Sequence, residues 1–247
     1  MQIKLKSLYR QSQGMLSLLL HTLASLRQPR PMVLLALLLV VGSIWVFIEL
    51  ADEVQENSTE HFDTWAVRVL RQPGHPELPR GPAWLAEVGR DITALGSRAV
   101  LLLIVTIVVG YLYLRRAYAT MWLVFFVTLS GGVLNRLLKV YFDRARPDIV
   151  PVAGTMSPSF PSAHSMHAAI IYLSLGVLLM QLESSRAIKA YIFAMALMLT
   201  FLVGVSRIYL GVHYPTDVLA GWAVGLAWAL GCWLVAQYIQ RRRRQKT

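Results

Sequence analysis

The sequence predicts an all-α, polytopic membrane protein with six transmembrane helices. Hydrophobic residues make up 56% of the 247 positions, and the mean hydropathy is +0.52. Charged residues account for only 15%, against about 25% in soluble domains. The apolar residues are gathered into six runs, and a helix needs about 20 such residues to cross the hydrocarbon core. Basic residues lie mainly between alternate runs, which gives the chain an orientation.

Six apolar runs define the predicted spans. They are Pro31–Leu50, Arg98–Leu114, Ala117–Leu138, Ser162–Leu182, Ala187–Val205 and Thr216–Gln240. The second has an uncharged stretch of only 16 residues, so we expect it to extend backwards through Ile92. In the sixth, Gly221 and Gly225 form a small-xxx-small pair, which predicts close packing against another helix of the bundle.

The charge distribution predicts which side of the membrane each end occupies. Six spans put both termini on one side, and that side carries 14 of the 24 Lys and Arg residues but only one acid, Glu183. By the positive-inside rule the termini are cytoplasmic. The net charge of +11 therefore reflects topology. The chain has no basic patch interleaved with aromatic residues, so nucleic-acid binding is not indicated.

Three segments make up the predicted domain organisation. Residues 1–30 carry leucines at roughly helical spacing between basic residues, which predicts an interfacial helix on the cytoplasmic leaflet. Residues 31–240 form the six-helix transmembrane domain. Residues 241–247 begin with four arginines and form a basic cytoplasmic tail that contacts anionic lipid.

The long external loop 51–98 is expected to be partly helical. We expect short helices on the membrane surface over Thr59–Arg71 and Ala83–Val88. Prolines at positions 73, 76, 79 and 82 break the middle of this loop into turns.

The first polar cluster follows the third span. Lys139 lies at the end of that span, and Arg146 comes seven residues later, before Pro147. Basic residues at a membrane boundary ordinarily anchor a helix to headgroups. These two lie on the external side, where the positive-inside rule does not favour cations, so they are candidate ligands for a phosphate.

The second cluster opens the fourth span with the sequence Pro161-Ser162-Ala163-His164. A proline in the first turn marks a helix start, and the free N–H groups of a helix start bind phosphate. Ser162 and the Ala163 amide are therefore candidate phosphate ligands, with His164 one turn inside. The alternative is that Ser162 only caps the helix and His164 is a hydrogen-bonded interfacial histidine.

The third cluster holds Arg207, His213 and Asp217. Asp217 follows His213 by four residues in the first turn of the sixth span. Its carboxylate can accept the imidazole Nδ1–H and leave Nε2 free to attack. Arg207 offers a planar fork for two phosphate oxygens. The alternative is that Asp217 only complements the helix dipole.

Alternation of the spans brings all three clusters to the external face. Ionisable groups in membrane-embedded positions ordinarily mark a functional site. A metal site built from His164, His167 and His213 is less favoured, because such a site normally needs carboxylates nearby. We therefore expect no metal and no cofactor.

The clusters resemble the three motifs of the type 2 phosphatidic acid phosphatase superfamily. Order and spacing match, with alanine at position 163 where glycine is common. The resemblance implies a metal-independent lipid phosphatase that forms a phosphohistidine intermediate. It implies His213 as nucleophile, Asp217 as its orienting partner and His164 as general acid and base. The implied phosphate ligands are Lys139, Arg146, Ser162, Ala163 and Arg207.

The resemblance also implies a location and a set of substrates. We expect a bacterial inner-membrane enzyme whose site opens to the periplasmic face. Substrates in the family include phosphatidylglycerophosphate, phosphatidic acid, polyprenyl pyrophosphate and lipid A phosphates, and the sequence does not choose among them. It also leaves the oligomeric state open.

Three other functions remain open from sequence. A lipid phosphotransferase would use the same residues with an acceptor other than water. A transporter of anionic lipids would use the basic cluster for binding, although no internal repeat with paired broken helices is evident. A catalytically silent lipid-binding relative is the third.

Overall fold

A computed structural model describes residues 31–148 and 157–244. In these ranges the chain forms eight α-helices and one two-stranded sheet, which confirms the predicted all-α membrane fold. The elements are α1 (Pro31–Gln55), α2 (Glu60–Val69), β1 (Arg71–Gln72), β2 (His75–Pro79), α3 (Ala83–Ala94), α4 (Arg98–Leu114), α5 (Tyr118–Phe142), α6 (Ala163–Leu182), α7 (Arg186–Tyr209) and α8 (Pro215–Arg244). The predicted interfacial helix in residues 1–30 lies outside the described residues.

Five of the helices are long and apolar enough to cross a membrane: α1, α5, α6, α7 and α8. The helix α4 has 17 residues and reaches the required length only together with α3, from which it is bent by 43°. The Ser97 hydroxyl accepts the Val100 N–H at 3.3 Å and so starts a separate helix. The predicted second span thus has the bounds of α4, and its backward extension through Ile92 is a second helix at an angle to α4.

The loop 51–98 contains the two predicted helices and an element that the sequence did not indicate. Between α2 and α3 the chain forms an antiparallel hairpin, in which Arg71 pairs with Pro79 and Gln72 with His75. Its turn carries Gly74 at φ +81°, a conformation that favours glycine. The proline-rich segment is thus a hairpin rather than a series of turns.

The helix α6 is central to the bundle and packs against α5, α7 and α8. The pair Gly221 and Gly225 permits the approach of α8. A Cβ at either position would lie 2.7 Å from a backbone oxygen of α6, that of Ser162 or that of Met166. The predicted small-xxx-small contact is confirmed, and it joins the two helices that carry His164 and Asp217.

Aromatic packing fixes the segment that leads into α6. Phe160 is fully buried, and its ring lies 5.9 Å from that of Phe47 on α1 and 4.9 Å from that of Phe142 on α5. This contact anchors the residues directly before Ser162, Ala163 and His164, three of the predicted site residues.

Candidate active site

The imidazole of His213 and the carboxylate of Asp217 form a buried pair at the start of α8. Their exposed fractions are 1% and 0%. Nδ1 of His213 lies 3.3 Å from Oδ2 of Asp217, and Nη1 of Arg146 lies 3.3 Å from Nε2. Because a guanidinium can only donate, Nε2 is the accepting nitrogen and the proton lies on Nδ1. The lone pair of Nε2 therefore accepts a hydrogen bond from Arg146, while Nδ1 contacts Asp217 as the i, i+4 spacing predicts.

Two further groups hold the same carboxylate oxygen. Oγ of Ser159 donates to Oδ2 of Asp217 and lies 3.2 Å from Nδ1 of His213. The Tyr214 N–H donates to the same Oδ2 at 2.9 Å. Sequence reasoning gave no role to Ser159, although it stands directly before the second cluster.

The environment of His213 keeps its ring neutral. Burial lowers the pKa of His213 to about 4, although the hydrogen bond and the charge of Asp217 act in the opposite direction. A group whose pKa lies well below 7 carries no proton at Nε2 at neutral pH. The Nε2 lone pair therefore needs no prior deprotonation, and its partner is the Arg146 guanidinium.

The Arg146 side chain is held in place by three oxygen atoms. Its Nε and Nη2 donate to the carbonyl and hydroxyl of Ser157 at 3.0 and 3.1 Å. Its Nη1 donates to the carbonyl of Val212 at 2.9 Å. Burial lowers the pKa of Arg146, and the charge of Asp217 opposes this shift. The guanidinium is thus fixed before any ligand binds.

Lys139 and Arg207 bring two more cations to the same end of the bundle. Nζ of Lys139 donates to the carbonyl of Pro158, and Nη1 of Arg207 donates to Oγ1 of Thr93 at 3.0 Å. Nε of Arg207 is buried and has no partner among the described residues. Both side chains lie close enough to Arg146 for the charges to interact. Three cations so close together favour an anion between them.

The start of α6 differs in one respect from the prediction. Ser162 is fully buried and is the N-cap of α6, with Oγ accepting from Oγ of Ser165 at 3.0 Å. Its N–H donates to the carbonyl of Asp217 at 2.9 Å. The prediction that this amide is free is therefore wrong. Ala163 and His164 follow in the first turn, where N–H groups have no partner within the helix.

His164 lies at the centre of the predicted set. It is half-buried and close enough to His213, Arg146 and Arg207 for their charges to act on it. His167, one turn further along α6, faces α5 instead, where a Cβ at Gly132 would lie 3.9 Å from its Nε2. Over residues 31–148 and 157–244, no three His, Cys, Asp or Glu side chains gather as a metal site would require.

Arg144 and Asp63 belong to the site, and sequence reasoning gave neither a role. The Arg144 guanidinium contacts Oδ1 of Asp217 at 2.8 Å and Oδ2 of Asp63 at 2.7 Å. Arg144 stands between two residues of the first cluster, which was the only sign of its importance. Asp63 is 81 residues away from it on α2, and no pattern in the sequence pointed to it.

The structure thus brings the predicted residues together at one end of the bundle. They lie at the ends of α5 and α7 and at the starts of α6 and α8, with Arg146 and His213 in the adjoining segments. Nε2 of His213, a second histidine and three cations lie close enough for their charges to interact. This arrangement is suited to binding a tetrahedral anion and to attacking it.

Comparisons with known proteins agree with this geometry. A family model described as PAP2 superfamily matches residues 119–241, a range that includes all eight predicted site residues. Phosphatidylglycerophosphatase B of Bacillus subtilis is 37% identical over 185 residues, covering 73% of this chain and 86% of the relative. Lipid A 1-phosphatase of Rhizobium johnstonii is 31% identical over 173 residues, covering 60% of this chain and 66% of the relative.

A solved structure matches over a similar extent. It is the crystal structure of a transmembrane PAP2 type phosphatidylglycerolphosphate phosphatase from Bacillus subtilis. The TM-score is 0.68 at 31% identity, and the match covers 82% of this chain and 96% of that one.

Proposed function

This chain belongs to the PAP2 superfamily, and from that premise we propose that it hydrolyses the phosphomonoester or pyrophosphate of a membrane lipid through a phosphohistidine intermediate. One observation carries the proposal. The unprotonated Nε2 of His213 accepts a hydrogen bond from Arg146, and the charge of Arg207 also acts on the ring, while Nδ1 on the opposite edge contacts Asp217. A nucleophile oriented by a carboxylate and aimed at an anion-binding place is what in-line phosphoryl transfer requires.

In the first step Nε2 of His213 attacks phosphorus and the bond from phosphorus to the lipid oxygen breaks. His164 donates a proton to that departing oxygen. The imidazole ring becomes cationic as the N–P bond forms, and the Asp217 carboxylate stabilises it. The products of this step are the dephosphorylated lipid and a phosphoryl group on His213.

In the second step water replaces the histidine. His164, now neutral, accepts a proton from the attacking water, and the N–P bond breaks as the new P–O bond forms. Inorganic phosphate leaves, His213 regains its lone pair, and His164 regains its proton. One residue thus serves first as acid and then as base.

The three cations account for electrostatic stabilisation of the transferring group. Lys139, Arg146 and Arg207 neutralise the oxygens of the phosphoryl group, and the Ser162 hydroxyl and the Ala163 amide donate hydrogen bonds to them. Their charge does what a bound metal ion does in other phosphoryl-transfer enzymes. We expect phosphate release to be unchanged by EDTA. Loss of activity that an added divalent ion restores would contradict this metal independence.

The substrate is a lipid whose phosphate reaches the external membrane surface. The chain carries its basic residues on the side of the termini, which favours cytoplasmic termini and a site at the outer face of the inner membrane. Phosphatidylglycerophosphate is the first substrate to test, because a relative named for it is 37% identical. Phosphatidic acid, a polyprenyl pyrophosphate and a lipid A phosphate complete the panel.

Phosphate release by the purified protein in detergent tests the proposal. We expect inorganic phosphate from at least one lipid of the panel without any added acceptor, and none from a His213→Gln variant. Release that appears only when an acceptor lipid is added would indicate a phosphotransferase. Binding of these lipids without turnover by the wild-type protein would contradict the proposal.

A further inference from the structure

Asp63 is a carboxylate of the external loop that lies inside the protein. It is 0% exposed, although it lies on α2, a helix that exposes most of its residues. Oδ1 accepts the N–H of Thr216 at 3.2 Å, and Oδ2 accepts the Thr216 hydroxyl at 2.5 Å. Because Thr216 lies in the first turn of α8, Asp63 joins the external loop to the helix that carries Asp217. Burying a charge is costly unless it is paired and hydrogen-bonded. A carboxylate buried with this many contacts is therefore a candidate for a role in the site.

Arg144 bridges Asp63 and the catalytic carboxylate. Its two terminal nitrogens lie 2.7 Å from Asp63 and 2.8 Å from Asp217, and its guanidinium lies 4.5 Å from the ring centroid of Tyr214. Burial acts to lower the pKa of Arg144, but the charges and hydrogen bonds of Asp217 and Asp63 outweigh it and raise the pKa. The guanidinium is therefore a fixed, permanent cation between two buried anions.

Because of this bridge, the two oxygens of the Asp217 carboxylate have different hydrogen-bond partners. Oδ1 is occupied by Arg144, whereas Oδ2 is left to His213, Ser159 and Tyr214. The rotation of the carboxylate is thereby fixed from the side away from the imidazole.

We propose that Arg144 and Asp63 are positioning residues for the catalytic pair. Asp63 fixes the position of the Arg144 guanidinium, which fixes the Asp217 carboxylate. The carboxylate in turn orients the His213 imidazole. The inference rests on the proposed function, in which His213 carries the phosphoryl group. It assigns to the external helix α2 a direct part in orienting the nucleophile.

The two residues have opposite electrostatic effects on His213. Arg144 reduces the pull of Asp217 on a proton of the imidazole, and Asp63 in turn reduces the effect of Arg144. The other charged groups that face His213 are Asp217, Arg146 and Arg207, with His164 on α6, and none of these is changed in the test. Removing Arg144 should therefore raise the pKa of His213, and removing Asp63 should not.

The kinetic test compares Arg144→Gln and Asp63→Asn with two matched controls. Asp143→Asn and Glu60→Gln change exposed acids, one beside Arg144 and one on the same helix as Asp63. We expect kcat to fall about 10- to 100-fold in both test variants, as for the loss of other residues that orient a reacting group. KM should stay within about twofold, because neither residue is placed to contact the phosphate. A rise in KM with unchanged kcat would overturn the proposal.

A titration of His213 separates positioning from general damage and does not depend on turnover. The imidazole is followed by NMR in protein labelled with ¹⁵N-histidine, and its resonance is assigned from its absence in His213→Gln. In Arg144→Gln we expect the midpoint to rise by about one to three pH units, and in Asp63→Asn we expect no rise. A loosened site that admits water would raise both, so equal rises, or no rise in Arg144→Gln, would overturn the proposal.

Two variants keep the test decisive if Arg144→Gln does not fold. Arg144→Lys keeps the charge but not the two-sided fork, so we expect a reduced kcat with an unshifted His213 titration. The double variant Asp63→Asn/Arg144→Gln removes one charge of each sign, and we expect its midpoint above that of Arg144→Lys, because the lost cation contacts Asp217 directly. If the wild type releases no phosphate from any lipid yet the titrations shift as stated, the proposed function fails and the positioning role stands.

Discussion

The end of the bundle that holds the candidate site differs in construction from the membrane-facing surface. At the site end several buried side chains are polar, with Asp63, Ser159 and Asp217 at 0% exposed. On the outer faces of the helices large apolar side chains are exposed, for example Leu38 at 70% and Val140 at 73%. Lipid accepts apolar side chains, whereas a buried polar group needs a partner in the protein. The polar end is therefore held by hydrogen bonds, and the rest is held by close packing.

This difference predicts two kinds of sensitivity. Substitutions at the site end should change catalytic activity, because they alter charges and hydrogen bonds, while the bundle remains folded. Substitutions where helices pack together should change the free energy of unfolding, because they alter side-chain volume, while catalytic activity remains intact. The following experiments can break this separation or make it more exact.

The largest expected effect is that of His213→Gln on phosphate release. We expect a loss of about 10⁴-fold or more in kcat, because the nucleophile is removed and no other group is placed to replace it. His75→Gln is the matched control, since His75 is exposed on the hairpin and should leave turnover unchanged. Measurable turnover by His213→Gln within about tenfold of wild type would refute the assigned nucleophile.

A smaller effect is expected for Arg207→Lys. Lysine keeps the positive charge but offers a point rather than a planar fork, so we expect kcat/KM to fall about 10- to 100-fold. Arg68→Lys serves as control, because Arg68 is exposed on α2. Equal activity of both variants would mean that Arg207 does not grip the phosphate through its fork.

Packing sensitivity is tested by two glycines of α8. Gly225→Ala places a methyl group 2.6 Å from the Ala169 Cβ and 2.7 Å from the Met166 carbonyl, whereas nothing lies within 4 Å of a Cβ at Gly231. We expect Gly225→Ala to destabilise the fold by about 1–3 kcal/mol. Gly231→Ala should stabilise it by up to about 1 kcal/mol through helix propensity. Thermal unfolding in detergent measures both, and equal midpoints would refute the contact.

The smallest effect concerns stability against pH. The pKa of His213 in the folded protein is about 4, below the ordinary value near 6.5. Between these two values the unfolded chain binds a proton at His213 and the folded protein does not. Its contribution to stability is complete above about pH 6.5 and is lost as the pH falls toward 4, with a slope of up to about 1.4 kcal/mol per pH unit. We expect His213→Gln to lose less stability than wild type over this interval. Parallel curves would contradict the burial of a neutral imidazole.

Local features of the sequence predicted most of the fold and of the site. The apolar runs predicted the long helices, and proline followed by small residues predicted the start of α6. The i, i+4 spacing predicted the contact of His213 with Asp217. The Arg144 bridge to Asp63 was missed because it joins residues 81 apart, and periodicity reports nothing on such contacts. The bounds of α4 match the predicted second span, but the 43° bend between α3 and α4 was not predicted.

Trapping the covalent intermediate tests the central claim most directly. A His164→Asn variant is mixed with an aryl phosphate, whose leaving group needs no proton, so that the first step proceeds while water attack lacks its base. We predict a phosphoryl group that is labile in acid and stable in base, located by mass spectrometry on the peptide that contains His213. A phosphoryl group on another residue, or turnover by this variant with no adduct on His213, would contradict the account.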